Sequence, residues 1–370
     1  MISLDIESLS AEGKRLHAAL VDKGIFKRAG DYAARPEDGA VTYAEANPIT
    51  AVEKFLGYYD DKKNIAFAPS ISFNTDLSIA QAYCRYSKEE NADSIMLDGA
   101  IEERYTRRAA KALDNFRRLF RIGGSFKFYI KRVKRYGLGK GLGESAAVAA
   151  ASAKALAANV FGERAAADDF FVSLLARYAS GSGTRSATGG FSVWVSYPGM
   201  DELECHGARL PVDLGGFSFI AYPNPSEIKT MDVHKVVSGS PFYETWVRDK
   251  YRKIGEIIDS DFDLGVMMKH AQEDTFLLNS MVTSRGIFLQ TRESMKIIEA
   301  IMSFREEVSD DVYMTADTGP SIVVMAKSRK LLDKFSETIG ITGILGTVAG
   351  SPRVKINGLG ESDLRKFIGS

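Results

Sequence analysis

Between Phe126 and Phe161 the chain reads FKFYIKRVKRYGLGKGLGESAAVAAASAKALAANVF, and few folds accept that order. Alternating apolar residues in FKFYIKRVKRYG predict a half-buried strand, Gly137, Gly139, Gly141 and Gly143 end it in a loop, and the alanine run predicts a long helix. Ser152, Lys154 and Asn159 leave that helix too polar and too short to span a bilayer, so it reads as buried or half-buried. Strand, glycine loop and helix form the layout of a phosphate cradle. Glycines such as Gly141 and Gly143 let backbone N–H groups and the helix dipole approach an anion, and Ser145 offers a hydroxyl in the first turn. Taken alone the loop serves equally well as a hinge, since it is neither a GK[ST] loop nor a GxGxxG placed for a dinucleotide. The basic residues beside it (Lys127, Lys131, Arg132, Lys134, Arg135, Lys140) favour an anionic ligand, with a solvated basic edge strand as the competing reading.

At 370 residues the chain suggests two domains sharing a cleft. Lys plus Arg equals Asp plus Glu at 48 each, so the overall field gives no argument for nucleic acid or membrane partners, and any anion site must be local. Cys84 and Cys205 stand far apart with no CxxC, which speaks against a disulfide framework or a zinc site and fits a reducing cytoplasm. The four histidines share no ligand spacing, so no metal centre is expected, and no GxSxG elbow occurs. The acidic N-terminus lacks the apolar run of a secretory signal.

Residues 1–45 carry one amphipathic pattern (Leu9, Leu16, Leu20) and read as an appendage; an N-terminal domain is expected over 46–215 and a second over 216–370. NPITAVEKFLGYYD and NIAFAPSISFNTDLSIA predict strands, and Glu102 to Phe120 predicts a helix with Ala109, Leu113, Phe116 and Phe120 on one face and basic residues, Arg108 among them, elsewhere. Beyond 216, strands (GFSFIAYPN, VYMTADTG, SIVVMAK, SPRVKINGLG) interleave with helices, which suggests an α+β sandwich of ferredoxin-like type.

Three further positions are candidates for chemistry. In Ser180-Gly-Ser182-Gly-Thr-Arg185 small hydroxyl residues surround one arginine, a turn able to present hydroxyls to an anion while the guanidinium grips a carboxylate. Asp317, in TADTGPS between two strands, can project into a cleft or simply start a turn. Lys54, in apolar AVEKFLG, is a cleft lysine or a snorkelling surface one.

Together these segments resemble the diphosphomevalonate decarboxylase family of the GHMP-kinase superfamily. GLGKGLGESAAVAAASA resembles the superfamily's phosphate loop, and GSGTRSATGGFSVW resembles the family's GSG, Arg, Ser and GG-aromatic-strand succession. NPITAVEKFLGYYDDKKNIAFAPSISFNTD is similar to its first hairpin, TADTGPSIVV to its Asp-x-Gly-Pro-Asn segment, and HAQEDTFLLNSM to a helix of its second domain. The likeness runs from about residue 46 to the end. It implies a ribosomal-protein-S5-like N-terminal domain, a ferredoxin-like C-terminal domain, and an active site between them. It also implies decarboxylation of a mevalonate derivative after loss of a 3-phosphate, with Asp317, Lys54 and Arg185 catalytic. Ser145, Gly141, Gly143, Ser180, Ser182, Arg108 and Tyr58 are the expected substrate or phosphate ligands, and a cytoplasmic homodimer is the expected state.

Two departures narrow this. Glu144 stands where the family has serine in the glycine loop, placing a carboxylate beside the position of ATP phosphates, and Tyr58-Tyr59 replaces a Lys-Arg pair. They point to a branch found in some archaea that needs no ATP and takes mevalonate 3,5-bisphosphate to isopentenyl phosphate. An ATP- and magnesium-dependent decarboxylase of 5-phospho- or 5-diphosphomevalonate, and a small-molecule kinase of the same fold, are the alternatives.

Overall fold

The strand predicted from FKFYIKRVK runs from Ser125 to Lys134 and buries alternate residues, Phe126, Phe128 and Ile130, against the alanine helix Glu144–Phe161. The computed structural model describes residues 4–90, 92–101, 103–228, 230–356 and 359–369. Six strands form the first sheet in the order Arg353–Lys355, Val41–Ala46, Ser78–Ser87, Ser125–Lys134, Ser94–Leu97, Ala100–Ile101. The alanine helix is buried almost all round because methyl side chains let strands Val41–Ala46 and Ser78–Ser87 and helices Asp169–Ala179 and Gly183–Thr188 all approach it. A second, four-stranded sheet has the order Gly207–Arg209, Phe191–Trp194, Ser70–Asn74, Ile49–Glu53, every pair antiparallel.

The C-terminal half is an antiparallel sheet in the order Val312–Thr315, Ile322–Ala326, Ser218–Tyr222, Ile344–Gly346, so its first strand in sequence lies inside, between the third and the fourth. With helices Arg292–Glu307 and Arg329–Ile339 packed against it, this is the expected ferredoxin-like arrangement. Phe73, Phe191, Phe217 and Phe219, with centroids 5.1 to 5.5 Å apart in consecutive contacts, close the seam between the halves. Such pairs add about 0.5–1.5 kcal/mol each beyond the area they bury.

Several expectations change. Residues 1–45 are not an appendage: helix Ile6–Asp22 buries Leu9, Leu16 and Leu20 against helix Tyr243–Asp259 in the core shared with Trp246 and Ile254, because a leucine stripe must be covered. Further along, Phe26 stacks on His206 at 4.4 Å, and Gly30 N–H and the Tyr32 hydroxyl both donate to Asp168. The first sheet already begins at Val41, before the expected boundary at 46. The unit expected over 216–370 is also broken at its end, since Arg353–Lys355 pairs antiparallel with Val41–Ala46 and Phe367 packs on Tyr83 at 4.8 Å. The helix placed from Glu102 begins at Glu103 among the described residues; Glu102, and Asn357 and Gly358 of the last predicted strand, lie outside them. No described helix is long and apolar enough to cross a membrane.

Candidate functional site

All ten predicted site residues line one cleft of about 290 Å³ between the halves: Lys54, Tyr58, Arg108, Gly141, Gly143, Ser145, Ser180, Ser182, Arg185 and Asp317. The glycine loop forms one wall, and its glycines are needed for packing as much as for any ligand. Gly143, at φ +67°, has no room for a Cβ, which would overlap the Ile49 carbonyl; at Gly141, φ +86°, a Cβ would sit 3.0 Å from the Cα of Gly319 in the Asp317 loop. Lys140 ties the two halves further, its N–H donating to Asn224 O at 2.9 Å and its carbonyl accepting from Ser321 N–H at 3.3 Å.

Glu144, the first residue of the alanine helix, faces the basic strand across this loop. Its carboxylate accepts from Arg132 at 2.9 Å, from Lys134 at 2.7 Å and from the Tyr136 hydroxyl at 2.7 Å. Most of the basic strand is spent in this way: Arg132 also holds Asp98, Lys127 pairs with Glu90, and Arg135 pairs with Asp76. The sequence suggested that this strand strengthens an anion site, whereas in the fold its charges are largely met by carboxylates of the chain itself. Among the described residues Lys140 and Arg108, both on the cleft, have no ion-pair or hydrogen-bond partner for their side chains.

Lys54 is not a surface lysine. It is 2% exposed, and its ammonium donates to the hydroxyls of Thr315 at 3.0 Å and Thr275 at 3.1 Å, with Asp274 at 3.5 Å. Helix Leu264–Thr283 supplies Asp274 and Thr275 because it packs on both strand Val312–Thr315 and strand Ile49–Glu53. Behind it, Lys250 bridges Asp274 and Glu53, the latter at 2.5 Å, and the indole N–H of Trp246 donates to Asp274 at 2.9 Å. Burial pulls Lys54 below its ordinary value while Asp274 opposes that fall. Against its own burial, Lys250 and then Lys54 hold Asp274 below the usual carboxylate range. Burial pushes Glu53 up to about 7 although Lys250 opposes the rise.

Asp317 projects from the loop after strand Val312–Thr315 into the cleft, half-buried, its carboxylate accepting Thr318 N–H at 3.0 Å. Burial raises it above the ordinary value, and Lys54 and then Arg185 pull it back. No ion pair within 4.0 Å joins Asp317 to either cation, so both act on it through space. Arg185 sits on the buried helix Gly183–Thr188 where the sequence suggested a turn, its guanidinium 5.6 Å from the Phe55 ring centroid. Its Nε and Nη1 are buried with no partner, and burial lowers the group to about 10, with Asp317 opposing, so it is cationic at neutral pH. Unmet buried donors cost about 1–3 kcal/mol each, a cost that a bound carboxylate offsets. Ser180 and Ser182 share a hydrogen bond at 2.9 Å beside it, and Ser145 is exposed at the helix entrance. Tyr58 lies in the cleft with its hydroxyl pushed by burial up to about 12.

The sequence reading missed His234, which lines the same cleft, and the buried group Glu53, Lys250 and Asp274. No spacing announces them, because they come from elements that meet only when the halves close. The arrangement offers one carboxylate poised against two through-space cations, an unsaturated guanidinium beside paired hydroxyls, and a second unpartnered guanidinium on Arg108. That suits a small substrate with several anionic groups and a reaction in which positive charge develops near Asp317.

Residues 46–205 match the family model described as the diphosphomevalonate decarboxylase-like N-terminal domain. The chain is 43% identical over 344 residues to a mevalonate 3,5-bisphosphate decarboxylase of Thermoplasma volcanium, a match spanning 93% of this chain and 92% of that one. Among solved structures it resembles the mevalonate diphosphate decarboxylase of Enterococcus faecalis, with TM-score 0.74, 18% identity, and 86% and 99% of the two chains covered. It also resembles the mevalonate-3-kinase of Thermoplasma acidophilum, with TM-score 0.69, 16% identity, and 87% and 99% covered. These last two likenesses establish the GHMP-kinase fold, which a decarboxylase and a kinase share.

Proposed function

The chain belongs to the family of the mevalonate 3,5-bisphosphate decarboxylases, and from that premise we propose that it converts mevalonate 3,5-bisphosphate to isopentenyl phosphate without ATP. In that reaction the C3–O bond breaks and phosphate departs with the electron pair. The C1–C2 bond then breaks, its electrons form the C2=C3 alkene, and carbon dioxide leaves. Atoms and charge balance with no co-reactant. Asp317 faces the cationic character that builds at C3, and it acts only while ionised, a state that Lys54 and Arg185 favour. Arg185 grips the substrate carboxylate with the donors that lack a partner. Lys54, with its protons directed at Thr275 and Thr315, serves as a fixed charge near Asp317 rather than as a donor to the departing phosphate.

The observation that carries the ATP-free half of this reading is Glu144. Its carboxylate stands at the N-terminus of the glycine-loop helix and already neutralises Arg132 and Lys134. A nucleotide polyphosphate entering there would meet a like charge and find two of the nearby cations engaged. Lys140, Ser145 and the amides of Gly141 and Gly143 remain as candidate ligands for a single substrate phosphate. The reading extends to a cytoplasmic homodimer, the latter checked by light scattering. Carbon dioxide release from mevalonate 3,5-bisphosphate, assayed with and without ATP, tests the proposal: release without nucleotide supports it, and strict ATP dependence with ADP formation sinks it.

A further inference from the structure

Tyr58 lines the cleft where the family resemblance implies a cation, and His234 lines the cleft beside it. We propose that His234 donates a neutral hydrogen bond to the substrate's non-reacting phosphate and, with Tyr58, makes this end of the cleft fit a phosphate monoester in preference to a diphosphate. The inference rests on the decarboxylase reading above.

His234, Tyr58 and Arg108 line the same cleft as Arg185 and Asp317, and Phe55 packs on both Tyr58 and His234 while its ring centroid lies 5.6 Å from the Arg185 guanidinium. His234 is carried by helix Thr230–Val236, and its Nδ1 accepts the Gly57 N–H at 3.1 Å. A ring nitrogen that accepts a hydrogen bond carries no proton, so the neutral imidazole holds its proton on Nε2. The ring is locked, stacked on Tyr58 at 5.7 Å with 7° between the planes and tilted against Phe55 at 5.6 Å. Burial, helped by the Arg108 guanidinium and opposed by Asp61, pushes the imidazole down to about 4. It is a fixed neutral donor at physiological pH, and its Nε2 has no partner among the described residues.

The charge balance then sets the preference. Arg108 brings one unpartnered positive charge to this end, while Arg185 is committed to the carboxylate. One guanidinium and one neutral N–H already offset only part of the nearly two negative charges of a monoester at neutral pH. The extra charge of a diphosphate goes uncompensated in a low-dielectric site.

Isothermal titration with mevalonate 5-phosphate and mevalonate 5-diphosphate, neither of which carries the 3-phosphate that leaves, tests this. Wild-type protein should favour the monophosphate. His234→Phe should lose about tenfold in affinity for it, a loss appropriate to a hydrogen bond to a charged group, with kcat on mevalonate 3,5-bisphosphate unchanged and KM raised. His234→Gln, which keeps an N–H donor, should recover most of that affinity, and His234→Lys should shift the monophosphate-to-diphosphate ratio about tenfold towards the diphosphate. The inference is overturned if all three variants keep the wild-type ratio and KM, or if all three weaken both ligands equally. Carbon dioxide release by the wild type is followed alongside. Its absence overturns the decarboxylase reading, and its presence with unmoved His234 variants overturns this inference alone.

Discussion

Asp274 holds Lys54 by two different atoms of that residue: its Oδ2 accepts the Lys54 backbone N–H at 2.9 Å and lies 3.5 Å from the Lys54 ammonium. One carboxylate on a C-terminal helix thus fixes both the chain path just after strand Ile49–Glu53 and the place of the Lys54 charge. Lys250 and Glu53 complete a group of two ammonium and two carboxylate side chains, each no more than 2% exposed. The electrostatics of the cleft are anchored in this seam.

Asp317→Asn should lower kcat by about 10²–10³-fold, the scale for removing one group that stabilises transition-state charge, while KM changes little. Because burial raises Asp317 and the ionised form is the active one, wild-type activity should fall on the acid side as pH drops through a value above the ordinary carboxylate range. Lys54→Met removes the largest influence opposing that rise, so its acid limb should lie at higher pH than the wild type's. Rate profiles of both proteins decide; an unmoved limb refutes the through-space role of Lys54.

Arg185→Lys keeps the charge and loses the forked donor pair. KM for the substrate should rise about tenfold, equivalent to about 1.4 kcal/mol, with kcat reduced less. A KM equal to that of the wild type would remove Arg185 from carboxylate binding.

Glu144→Ala should release Arg132 and Lys134 at the glycine loop. Calorimetric titration is expected to detect at least tenfold tighter binding of ADP or a non-hydrolysable ATP analogue than in the wild type, without a gain in decarboxylation. Equal nucleotide affinity in the two proteins would show that Glu144 does not close this site.

Glu53 should make stability depend on pH. Its folded value, about 7, lies above the unfolded carboxylate value, so its contribution is fully present below the unfolded value and is lost as pH rises through about 7. Melting curves between pH 5 and 8 should show Glu53→Gln with a flatter dependence than the wild type, the difference amounting to about 1–3 kcal/mol. Lys250→Met strips Glu53 and Asp274 of their shared counter-charge, and urea unfolding should report a loss of about 3–5 kcal/mol at neutral pH.

Wherever a local pattern carried the information, the sequence was readable. Glycines at alternate positions followed by an alanine run announced the loop and its buried helix, and alternation of apolar residues announced strand Ser125–Lys134. Arg185 stood out because a turn of small residues has no need of an arginine, and all ten predicted residues do line one cleft. The leucine stripe of residues 6–22 was visible, but its destination was not, since nothing in its period says which surface covers it.

The amino-acid order by itself determined the kind of elements, the family likeness, and the presence of a carboxylate, a lysine and an arginine able to serve an elimination. Glu144 was legible as an unexpected carboxylate in the loop. Only the fold decided that the basic strand neutralises it, that Lys54 faces Thr275, Thr315 and Asp274, and that His234 lines the cleft with its Nδ1 accepting the Gly57 N–H. The reason is that charge and hydrogen-bond state are properties of a neighbourhood. Lys54 and Asp274 are 220 residues apart in the chain, and their pairing exists only once burial has stripped away water and brought them together.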